Sequence, residues 1–376
     1  MPPPNQHPVE LLILQSTPFC NLDCSYCYLP NRTDRRRMER DVLALVADRI
    51  VRAGWLATDA AVIWHAGEPL VVPPSYYDAA IEMLNDAAGR PLHYGVQTNG
   101  TLIDDAWIDL FRRRRIHVGL SIDGPRELHN ARRRSRSGTG SFDAAMRGLH
   151  AVAAAGLDFG VITVLTAETL KQPEELFDFY VANGIHDVSL NIEEIEGINR
   201  DSSLEGADEA FRRFLDRFWS LAEAHTAKIR IREIAAASAA ILDPGADSYG
   251  NPQVEPFRML SVDTDGGLST FSPELLGVPG ADYSGFRFGD LRKGGPEQIL
   301  ADPSFQRAQT EIQAGVAACR RACPYFHLCQ GGAPANKFFE TGRMDTTETL
   351  FCRLTKQAVI DVALDRLERR LVTQPV

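Results

Sequence analysis

The sequence lacks any hydrophobic run long enough to span a membrane, and its N-terminus lacks the basic start and apolar segment of a secretory signal. We therefore expect no membrane partner and a cytoplasmic location. It also lacks a basic surplus, because 40 Lys and Arg face 50 Asp and Glu, for a net charge of −10. This charge argues against a nucleic-acid surface and permits a cationic substrate.

Cysteine is absent from the whole middle of the chain, between Cys27 and Cys319. A secreted disulfide protein would scatter its cysteines, and a cytosolic environment would keep them reduced. The seven cysteines instead form two groups, three near the N-terminus and four near the C-terminus. This grouping predicts two metal centres.

The first group, Cys20, Cys24 and Cys27, has the spacing C-x3-C-x2-C and follows an apolar run. Iron–sulfur clusters usually take four cysteines, so three thiolates would leave one iron open, like the open position of a catalytic metal site. A zinc knuckle is the alternative, and it would need a fourth ligand nearby. The motif resembles the signature of radical S-adenosylmethionine (SAM) enzymes, whose open iron binds SAM, and Tyr26 is aromatic as in that family.

Six apolar segments alternate with six amphipathic ones as far as residue 224. The predicted strands are Leu11–Thr17, Ala61–His65, His93–Gln97, Ile116–Ile122, Phe159–Leu165 and Val188–Ile192. The predicted helices are Asp41–Arg52, Tyr76–Ala87, Asp105–Arg114, Phe142–Ala155, Glu174–Asn183 and Asp208–Ala224. Such alternation predicts an α/β fold with parallel strands and right-handed crossovers. Polar motifs just after the strands favour a rolled sheet, because the functional residues of α/β barrels lie at the carboxyl ends of their strands. Open α/β sheets bind ligands at the same ends, so this pattern alone does not select the rolled sheet. The resemblance implies a partial (β/α)6 radical SAM barrel.

The segment after the second strand, His65–Pro69, resembles the Gly-Gly-Glu-Pro segment of radical SAM enzymes. In that family its backbone pairs with the methionine amino group of SAM. Gly67 and Glu68 match the pattern, while Ala66 replaces the first glycine. From the residues alone, this segment could also be an ordinary turn at the end of a strand.

The segments after the third and fourth strands match the family in order and spacing, at Asn99, Ser121 and Asp123. In the family, a serine at the position of Ser121 supports the ribose or the methionine group of SAM. An arginine about a dozen residues later commonly pairs with the SAM carboxylate, which suits a planar guanidinium. We assign that role to Arg133. Three neighbouring arginines compete for it: Arg132, Arg134 and Arg136.

The sixth strand leads into an acidic segment that contains Glu193, Glu194 and Glu196. It predicts either a solvated loop or a rim that receives a cationic substrate. After about Arg230 the rhythm changes, with helix breakers and a hairpin pattern around Asp265–Gly266. We therefore expect a core domain over residues 1–229 and a second domain over 230–376.

The second domain ends with Cys319-x3-Cys323-x5-Cys329 and then Cys352. Four thiolates complete a four-iron cluster without an open position, and a four-cysteine zinc site is the alternative. The pattern resembles the SPASM (twitch-like) extension of radical SAM peptide maturases, an α+β domain with auxiliary clusters. The spacing matches the second of those clusters. Ala333 stands where a ligand of the first cluster is expected, so we expect one auxiliary cluster only.

Three segments resemble the GRRM-system maturases most closely: Val62–Leu70, Asn191–Asn199 and Ser269–Glu274. That family is associated with small precursor peptides bearing Gly- and Arg-rich repeats with an aromatic residue. The resemblance implies a SAM-derived 5′-deoxyadenosyl radical that abstracts hydrogen from the peptide, followed by a side-chain crosslink of the cyclophane type. Ring formation must also release an electron, for which the auxiliary cluster is the expected acceptor, and a proton, for which we name Glu274 or Asp263.

The resemblance also implies three partners: a cationic precursor peptide near the acidic segment, a one-electron reductant, and optionally a separate leader-binding protein. Other radical SAM reactions remain open, namely thioether formation, epimerisation and sulfatase-type formylglycine formation. Epimerisation would need a hydrogen donor, often cysteine, and none is spare. The non-enzyme alternative is an iron–sulfur or zinc binding protein.

Overall fold

A single mixed sheet runs through the computed structural model, which describes residues 7–226, 229–242, 250–276, 278 and 283–373. Its ten strands within this part lie in the order β10-β9-β8-β1-β2-β3-β4-β5-β6-β7. The strands are β1 Val9–Leu14, β2 Leu56–Trp64, β3 His93–Thr98, β4 His117–Ser121, β5 Phe159–Leu165, β6 Asp187–Ile192, β7 Arg230–Ile231, β8 Met259–Val262, β9 Gly267–Thr270 and β10 Gly289–Asp290.

Strands β1 to β6 are parallel and adjacent in chain order. Right-handed crossovers between sequential parallel neighbours place the connecting helices on one face of the sheet. The carboxyl ends of all six strands therefore meet at one edge. Strands β1 and β6 do not pair with each other, because β1 pairs with β8 and β6 pairs with β7. The sheet is a mixed α/β arrangement with a parallel centre, and its parallel strands do not close into a complete barrel.

The helices fill the crossovers and build most of the C-terminal part. They are α1 Arg40–Val46, α2 Pro74–Ala88, α3 Asp105–Arg114, α4 Arg126–Arg132, α5 Phe142–Ala154, α6 Pro173–Ala182, α7 Asp208–Ala224, α8 Arg232–Leu242, α9 Pro303–Ala322, α10 Phe326–Cys329, α11 Pro334–Thr341, α12 Leu350–Cys352 and α13 Val359–Thr373. Two segments are π-helical. One, Ala47–Arg52, extends α1, and the other, Arg353–Ala358, joins α12 to α13.

Helix α3 illustrates how local sequence sets a crossover helix. The carboxylate of Asp104 accepts a hydrogen bond from the Trp107 amide at 3.0 Å, which satisfies a free donor of the first turn. Trp107, Leu110 and Phe111 recur at helical spacing and are buried. The arginines at its C-terminal end lie at the surface and pair with Asp78 of α2, as expected for a solvated charged face.

The order of the six predicted strands and six crossover helices is confirmed, with several shifted boundaries; β2, for example, begins at Leu56 rather than Ala61. Strand β1 ends at Leu14 rather than Thr17. The reason is that the Thr17 hydroxyl donates to the Arg36 carbonyl at 2.6 Å, which turns the chain away from the sheet. The predicted hairpin is also confirmed as the antiparallel pair β8–β9. Helices α4, α8 and α9 to α13 were not predicted.

The hairpin is an extension of the main sheet, because β8 pairs in parallel with β1 along Leu11–Leu14. One sheet therefore crosses the predicted boundary between residues 229 and 230, and the two-domain division stays a prediction. The core beneath the sheet is rich in aromatic side chains. Its largest fully buried members include Trp55, Trp64, Tyr77, Phe111, Tyr180, Phe211, Phe214, Phe218, Phe257 and Phe305.

Candidate active site

A cavity of about 240 Å³ lies at the carboxyl ends of the parallel strands. Each of β1 to β6 contributes residues to its wall, either from its last positions or from the loop that follows. The wall includes Cys20, Cys24, Tyr26, Cys27, Tyr28, His65, Gly67, Glu68, Gln97, Thr98, Asn99, Ser121, Arg133, Ile162, Val164, Asn191, Glu194, Glu196 and Glu274. Most of the predicted site residues therefore share one space, as expected at this edge of a parallel sheet.

The cysteine loop is held in place by backbone hydrogen bonds to the arginine-rich segment after α4. The amide of Asp23 donates to the carbonyl of Arg134 at 2.7 Å, and that of Ser25 donates to the carbonyl of Arg132 at 3.0 Å. The Arg136 guanidinium donates to the Cys20 carbonyl at 2.7 Å. The competing arginines thus position the loop, which sequence reasoning missed because these contacts join segments more than 100 residues apart.

The three thiols of this loop suit the open cluster of the radical SAM type. Burial, with a smaller contribution from neighbouring thiols, raises the pKa of Cys20 to about 12 and that of Cys24 to about 11. Such thiols ionise only if positive charge compensates them, which iron ions would supply. The cavity beside them leaves room for a further ligand of the cluster. The residues present therefore fit a cluster held by Cys20, Cys24 and Cys27.

The segment after β2 is shaped by two successive left-handed residues, Ala66 with φ 69° and Gly67 with φ 70°. A Cβ at Gly67 would lie 2.3 Å from the Thr17 carbonyl oxygen, so only glycine fits. Ala66 keeps the conformation that suits glycine although it carries a methyl group. Two successive left-handed residues therefore form the turn that follows β2.

Glu68 is 1% exposed, and its carboxylate is hydrogen-bonded to other residues of this chain. Its carboxylate accepts hydrogen bonds from the Thr98 hydroxyl at 2.6 Å and from the amides of Asn99 and Leu70 at 2.8 and 3.0 Å. Burial is the main cause that raises its pKa. The Asn99 side chain in turn donates to Asn21, the residue after Cys20. Glu68 therefore ties the ends of β2 and β3 to the cysteine loop.

Tyr26, Asp123 and Arg133 form a buried network behind the cysteines. The Tyr26 hydroxyl donates to Asp123 Oδ2 at 2.5 Å, and Arg133 Nε lies 3.0 Å from the same oxygen. The Arg133 guanidinium also lies 5.4 Å from the centre of the Tyr26 ring. Burial opposes the charge of Arg133, but Asp123, Tyr26 and Cys24 more than offset it and raise its pKa. Arg133 thus already has an anionic partner, and it still lines the cavity.

The remaining predicted residues divide into two groups. Ser121 lines the cavity, where its hydroxyl accepts a hydrogen bond from the Gln97 amide group at 2.9 Å. Glu274 also lines it, and burial raises its pKa. Asp263 is not brought to the cavity, because its carboxylate accepts hydrogen bonds from the amides of Asp265 and Gly267, both at 2.8 Å, in the β8–β9 turn.

The acidic segment after β6 is not the solvated rim that the sequence allowed. Glu193 is 5% exposed, accepts a hydrogen bond from the Ser203 amide at 2.8 Å and lies 3.5 Å from Arg132. Glu194 accepts a hydrogen bond from the Asn336 amide group at 2.6 Å. Glu194 and Glu196 line the cavity, whereas Glu193 does not and is held by Ser203 and Arg132. Asn336 contributes from α11, a contact that no local sequence pattern marks.

The four C-terminal cysteines are free thiols at the ends of α9 and α10 and in α12. Burial raises the pKa of Cys352 to about 12, and Cys329, Cys323 and Cys319 raise it further, so the four lie within electrostatic reach of one another. The ammonium group of buried Lys337 donates to Cys319 Sγ at 3.5 Å. A buried cation suits a centre built from several thiolates. These four thiols are the residues predicted to hold a second cluster.

Two further features are absent from the described residues. No group of three or more His, Cys, Asp or Glu side chains in this part of the chain has the spacing of a single-ion site. Among the described helices, none combines the length and hydrophobicity needed to cross a membrane.

Comparison with sequence families gives a match to the Radical SAM superfamily over residues 14–180. This stretch contains the first cysteine group and every cavity residue through β5. An uncharacterized protein of Synechocystis sp. is 38% identical over 375 residues, which is 98% of this chain and 94% of that protein. The serine-type anaerobic sulfatase-maturating enzyme of Bacteroides thetaiotaomicron is 30% identical over 184 residues, which cover 47% of this chain and 44% of that enzyme.

Solved structures with the same fold cover nearly the whole chain. The enzyme anSMEcpe with bound AdoMet and the Cp18Cys peptide matches with a TM-score of 0.78 at 19% identity, covering 97% of this chain and 99% of that one. Streptococcus suis SuiB bound to the precursor peptide SuiA matches with a TM-score of 0.66 at 15% identity, covering 92% and 76%. At these identities the likeness concerns the fold.

Proposed function

Because this chain belongs to the Radical SAM superfamily, we propose that it is an enzyme that modifies a ribosomally made precursor peptide and joins two of its side chains in an oxidative crosslink of the cyclophane type. One observation carries this proposal. The three cysteines at 20, 24 and 27 line the same cavity as Glu274, a carboxylate whose pKa is raised by burial. A radical generator and a proton acceptor thus face one enclosed space.

The chemistry supplied at this site is reductive cleavage of SAM to a 5′-deoxyadenosyl radical, which removes a hydrogen atom from the peptide. The chain's own residues bind and orient. The side of the cavity that we assign to SAM is formed by Gly67, Glu68, Asn99 and Ser121. Arg133, which is held by Asp123 and Tyr26, adds a fixed positive charge for the carboxylate of SAM. Fixed donors in an enclosed site position the reactants without reorganisation.

Closing the new bond requires the peptide to lose one further electron and one proton. Of the two predicted proton acceptors, Glu274 lines the cavity, whereas Asp263 is held in the β8–β9 turn, so Glu274 accepts the proton in this proposal. The electron leaves to a one-electron acceptor. We assign Cys319, Cys323, Cys329 and Cys352 to an auxiliary four-iron cluster in a SPASM-like domain over residues 230–376.

The proposed partners are a small cationic precursor peptide with an aromatic residue and an external one-electron reductant. A separate leader-binding protein is an optional third partner. Similarity of fold to SuiB, whose structure holds a precursor peptide, supports a peptide partner. The acidic wall at Glu194 and Glu196 supports a cationic one. We place the reaction in the cytoplasm.

Sulfatase-type formylglycine formation is the second candidate. It is favoured by the identity of 30% with a serine-type sulfatase-maturating enzyme and by the fold of anSMEcpe. Against it stands the sequence expectation of one auxiliary cluster rather than two. Formation of formylglycine from serine removes two hydrogen atoms from the peptide, as the crosslink does, so mass alone does not separate these two products.

The test uses the full chain, reconstituted anaerobically with iron, sulfide, SAM and dithionite, and a peptide made from a neighbouring short reading frame. Release of 5′-deoxyadenosine together with loss of two hydrogens from the peptide is expected. Tandem mass spectrometry should then find fragments that stay joined across the linked residues. A product that reacts with a hydrazide and fragments normally contains an aldehyde, which would assign the second candidate. Absence of 5′-deoxyadenosine would exclude both.

A further inference from the structure

The loop that carries Cys20, Cys24 and Cys27 has two sides. Its inner side lines the cavity, where the three thiols lie. Its outer side faces solvent, because Asp23 and Ser25, which stand between the cysteines, are exposed. The inner side is occupied by the reactants in the proposed function. An electron donor therefore has its most direct access to the cysteines through the outer side of the loop.

Two arginine-rich segments, residues 32–37 and 132–136, border this outer side. Four of their arginines are exposed, and no carboxylate of the described residues lies within ion-pair distance of them: Arg35, Arg37, Arg134 and Arg136. We call these four residues the arginine face. None of them lines the cavity of the candidate active site. The arginine face is thus a separate surface on the other side of the same loop.

The carboxylates that lie nearest in the sequence do not neutralise the arginine face. Asp23 lies 2.7 Å from Arg32, and Asp34 lies 2.7 Å from Arg36. Both carboxylates therefore already have a cationic partner of their own. The next two residues, Glu39–Arg40, are both exposed and add no net charge. The four charges of the arginine face remain available to an anionic partner.

Two members of the arginine face are fixed against the cysteine loop. Arg136 donates hydrogen bonds to the carbonyl of Cys20 at 2.7 Å and to the carbonyl of Arg32. The guanidinium groups of Arg35 and Arg136 lie 4.7 and 5.2 Å from the centre of the same ring, that of Phe19. Two cations held against one ring repel each other, so an anionic group bound there would be stabilised by both. Because Phe19 directly precedes Cys20, that group would lie beside the cysteine loop.

Arg37 belongs to a segment that is paired with the end of β1. The carbonyl of Arg36 accepts a hydrogen bond from the Thr17 hydroxyl at 2.6 Å, and the amide of Met38 donates to the Ser16 carbonyl at 2.8 Å. The backbone on both sides of Arg37 is therefore held next to the start of the cysteine loop. A fixed backbone lowers the entropy that binding at this surface must overcome.

We propose that the arginine face is the docking surface for an acidic one-electron carrier protein. The inference rests on the proposed function and identifies where its external reductant binds. The chain has a net charge of −10, so its average surface repels an acidic carrier, whereas the arginine face attracts it and orients it toward Cys20. One electron passes to the iron–sulfur centre of the cysteine loop, the carrier is oxidised by one electron, and no covalent bond changes at this surface.

The composition of the arginine face suits a brief encounter. Complexes that transfer electrons are small, below roughly 1,200 Å² of buried surface, and their association depends on complementary charge. Exposed guanidinium groups supply that charge without an apolar centre that would slow dissociation. The proposed cationic peptide is unsuited to this surface, because like charges repel.

The experiment uses the full chain, reconstituted with iron, sulfide and SAM, and an acidic flavodoxin as the probe. Calorimetry with oxidised flavodoxin measures the dissociation constant at low and at high salt. The double substitution Arg35→Gln, Arg37→Gln removes two of the four charges. It should weaken binding about 3- to 30-fold at low salt, as for the loss of two exposed ion pairs. High salt should weaken binding to the wild type and reduce that difference.

The double substitution Arg112→Gln, Arg115→Gln is the matched control. Both arginines are exposed at the end of α3, at the edge of the sheet opposite the cysteine loop. This variant loses the same charge and should bind flavodoxin like the wild type. The double substitution Arg35→Lys, Arg37→Lys keeps both charges of the arginine face and should also keep its affinity.

Three outcomes would overturn the proposal: equal weakening in the two glutamine variants, binding to the wild type that does not depend on salt, or no binding of flavodoxin. Tighter binding of a single-stranded RNA than of flavodoxin at the same salt would overturn it as well, by assigning the surface to nucleic acid. If the Arg35→Gln, Arg37→Gln variant loses its iron, the salt dependence of the wild type and the lysine variant decide the question.

Release of 5′-deoxyadenosine is recorded with two reductants. Dithionite is small and needs no docking surface, so its rate should be the same in all variants. Reduced flavodoxin below saturation should act more slowly on the Arg35→Gln, Arg37→Gln variant. If dithionite releases no 5′-deoxyadenosine from the wild type, the proposed function fails, and the binding measurement still decides the role of the arginine face. If dithionite succeeds and flavodoxin does not bind, the docking surface fails and the proposed function stands.

Discussion

Gly67 is the residue whose substitution should separate backbone geometry from side-chain chemistry. Its φ is 70°, and a Cβ there would lie 2.3 Å from the Thr17 carbonyl oxygen and 2.8 Å from that of Phe19, just before Cys20. Gly67→Ala should therefore displace the cysteine loop, lower the bound iron and cost more than the roughly 1–2 kcal/mol of left-handed strain alone. Iron content and urea unfolding measure the two effects.

Gly89 supplies the control for that substitution, because its φ is also positive, 65°, while a Cβ there would meet nothing within 4 Å. Gly89→Ala should show the strain without the clash and retain its iron. Equal losses of stability and iron in the two variants would mean that the close approach at Gly67 is unimportant.

Asp123 is the second residue whose role can be isolated. It is 2% exposed and pairs with Tyr26 and Arg133, which are also enclosed. Asp123→Asn leaves the Arg133 charge buried without an anion, which typically costs about 3–5 kcal/mol. Asp143→Asn breaks the exposed pair between Arg126 and Asp143 and should change the free energy of unfolding little. Chemical unfolding of both variants, compared with wild type, decides whether the network is structural.

Two elements far apart in the chain carry the two cysteine groups, and their functions should separate. Cys24→Ala removes a ligand of the cluster that binds SAM, so release of 5′-deoxyadenosine should be abolished. Cys323→Ala affects the C-terminal group, so some cleavage should persist while the crosslinked product is lost. Equal loss of cleavage in both folded variants would contradict this division. Far-ultraviolet circular dichroism checks folding, because cluster binding is coupled to it.

The sequence predicted those elements that depend on local pattern. Alternating apolar segments gave the six strands and their helices, and the loops after them contained the cavity residues Cys20, Glu68, Asn99 and Ser121. Segments joined only through the fold escaped prediction. Asn336 reaches Glu194 across 142 positions, and α8 lines a second cavity, of about 400 Å³, without any motif.

The acidic segment after β6 shows why charge pattern alone is insufficient. Glu193, Glu194 and Glu196 look equivalent in the sequence, but strand alternation and the turn at Glu196–Asn199 direct them to different surroundings. Glu193 binds the Ser203 amide, whereas the other two face the cavities. A pattern of charges reports how many are present, and only tertiary contacts decide which of them lose their hydration.

At the scale of the whole molecule, the cysteines divide completely into a group of three and a group of four. If each group holds a four-iron cluster, anaerobic analysis should give about eight irons and eight sulfides per chain. Zinc in the C-terminal group, or four irons after full reconstitution, would remove the second cluster from the proposal. The triple variant Cys20→Ala, Cys24→Ala, Cys27→Ala should retain about half of the iron.

The pH dependence of stability also belongs to the whole molecule, because buried groups oppose one another. Burial lowers the pKa of His65 and His129 to about 4 from the ordinary 6.5, so stability from these groups is lost as pH falls below 6.5. Burial raises the pKa of Glu194 from 4.5 to about 7, helped by Glu274 and Glu340 and opposed by Asn336 and Arg232. The folded chain binds this proton more tightly than the unfolded chain, so stability from Glu194 is lost as pH rises through that window.

A difference between variants isolates the carboxylate, because the histidine contributions cancel. Glu194→Gln keeps an oxygen for Asn336 but cannot ionise, so it should match wild type at low pH and become the more stable of the two as pH rises from 4.5 to about 7. Urea unfolding of the full chain without iron, at several pH values, measures that difference. Glu205→Gln, at an exposed position, should show none. A constant difference between wild type and Glu194→Gln would mean that Glu194 is already ionised throughout this pH range. An ionised, enclosed carboxylate would itself require a resident cation beside Glu194.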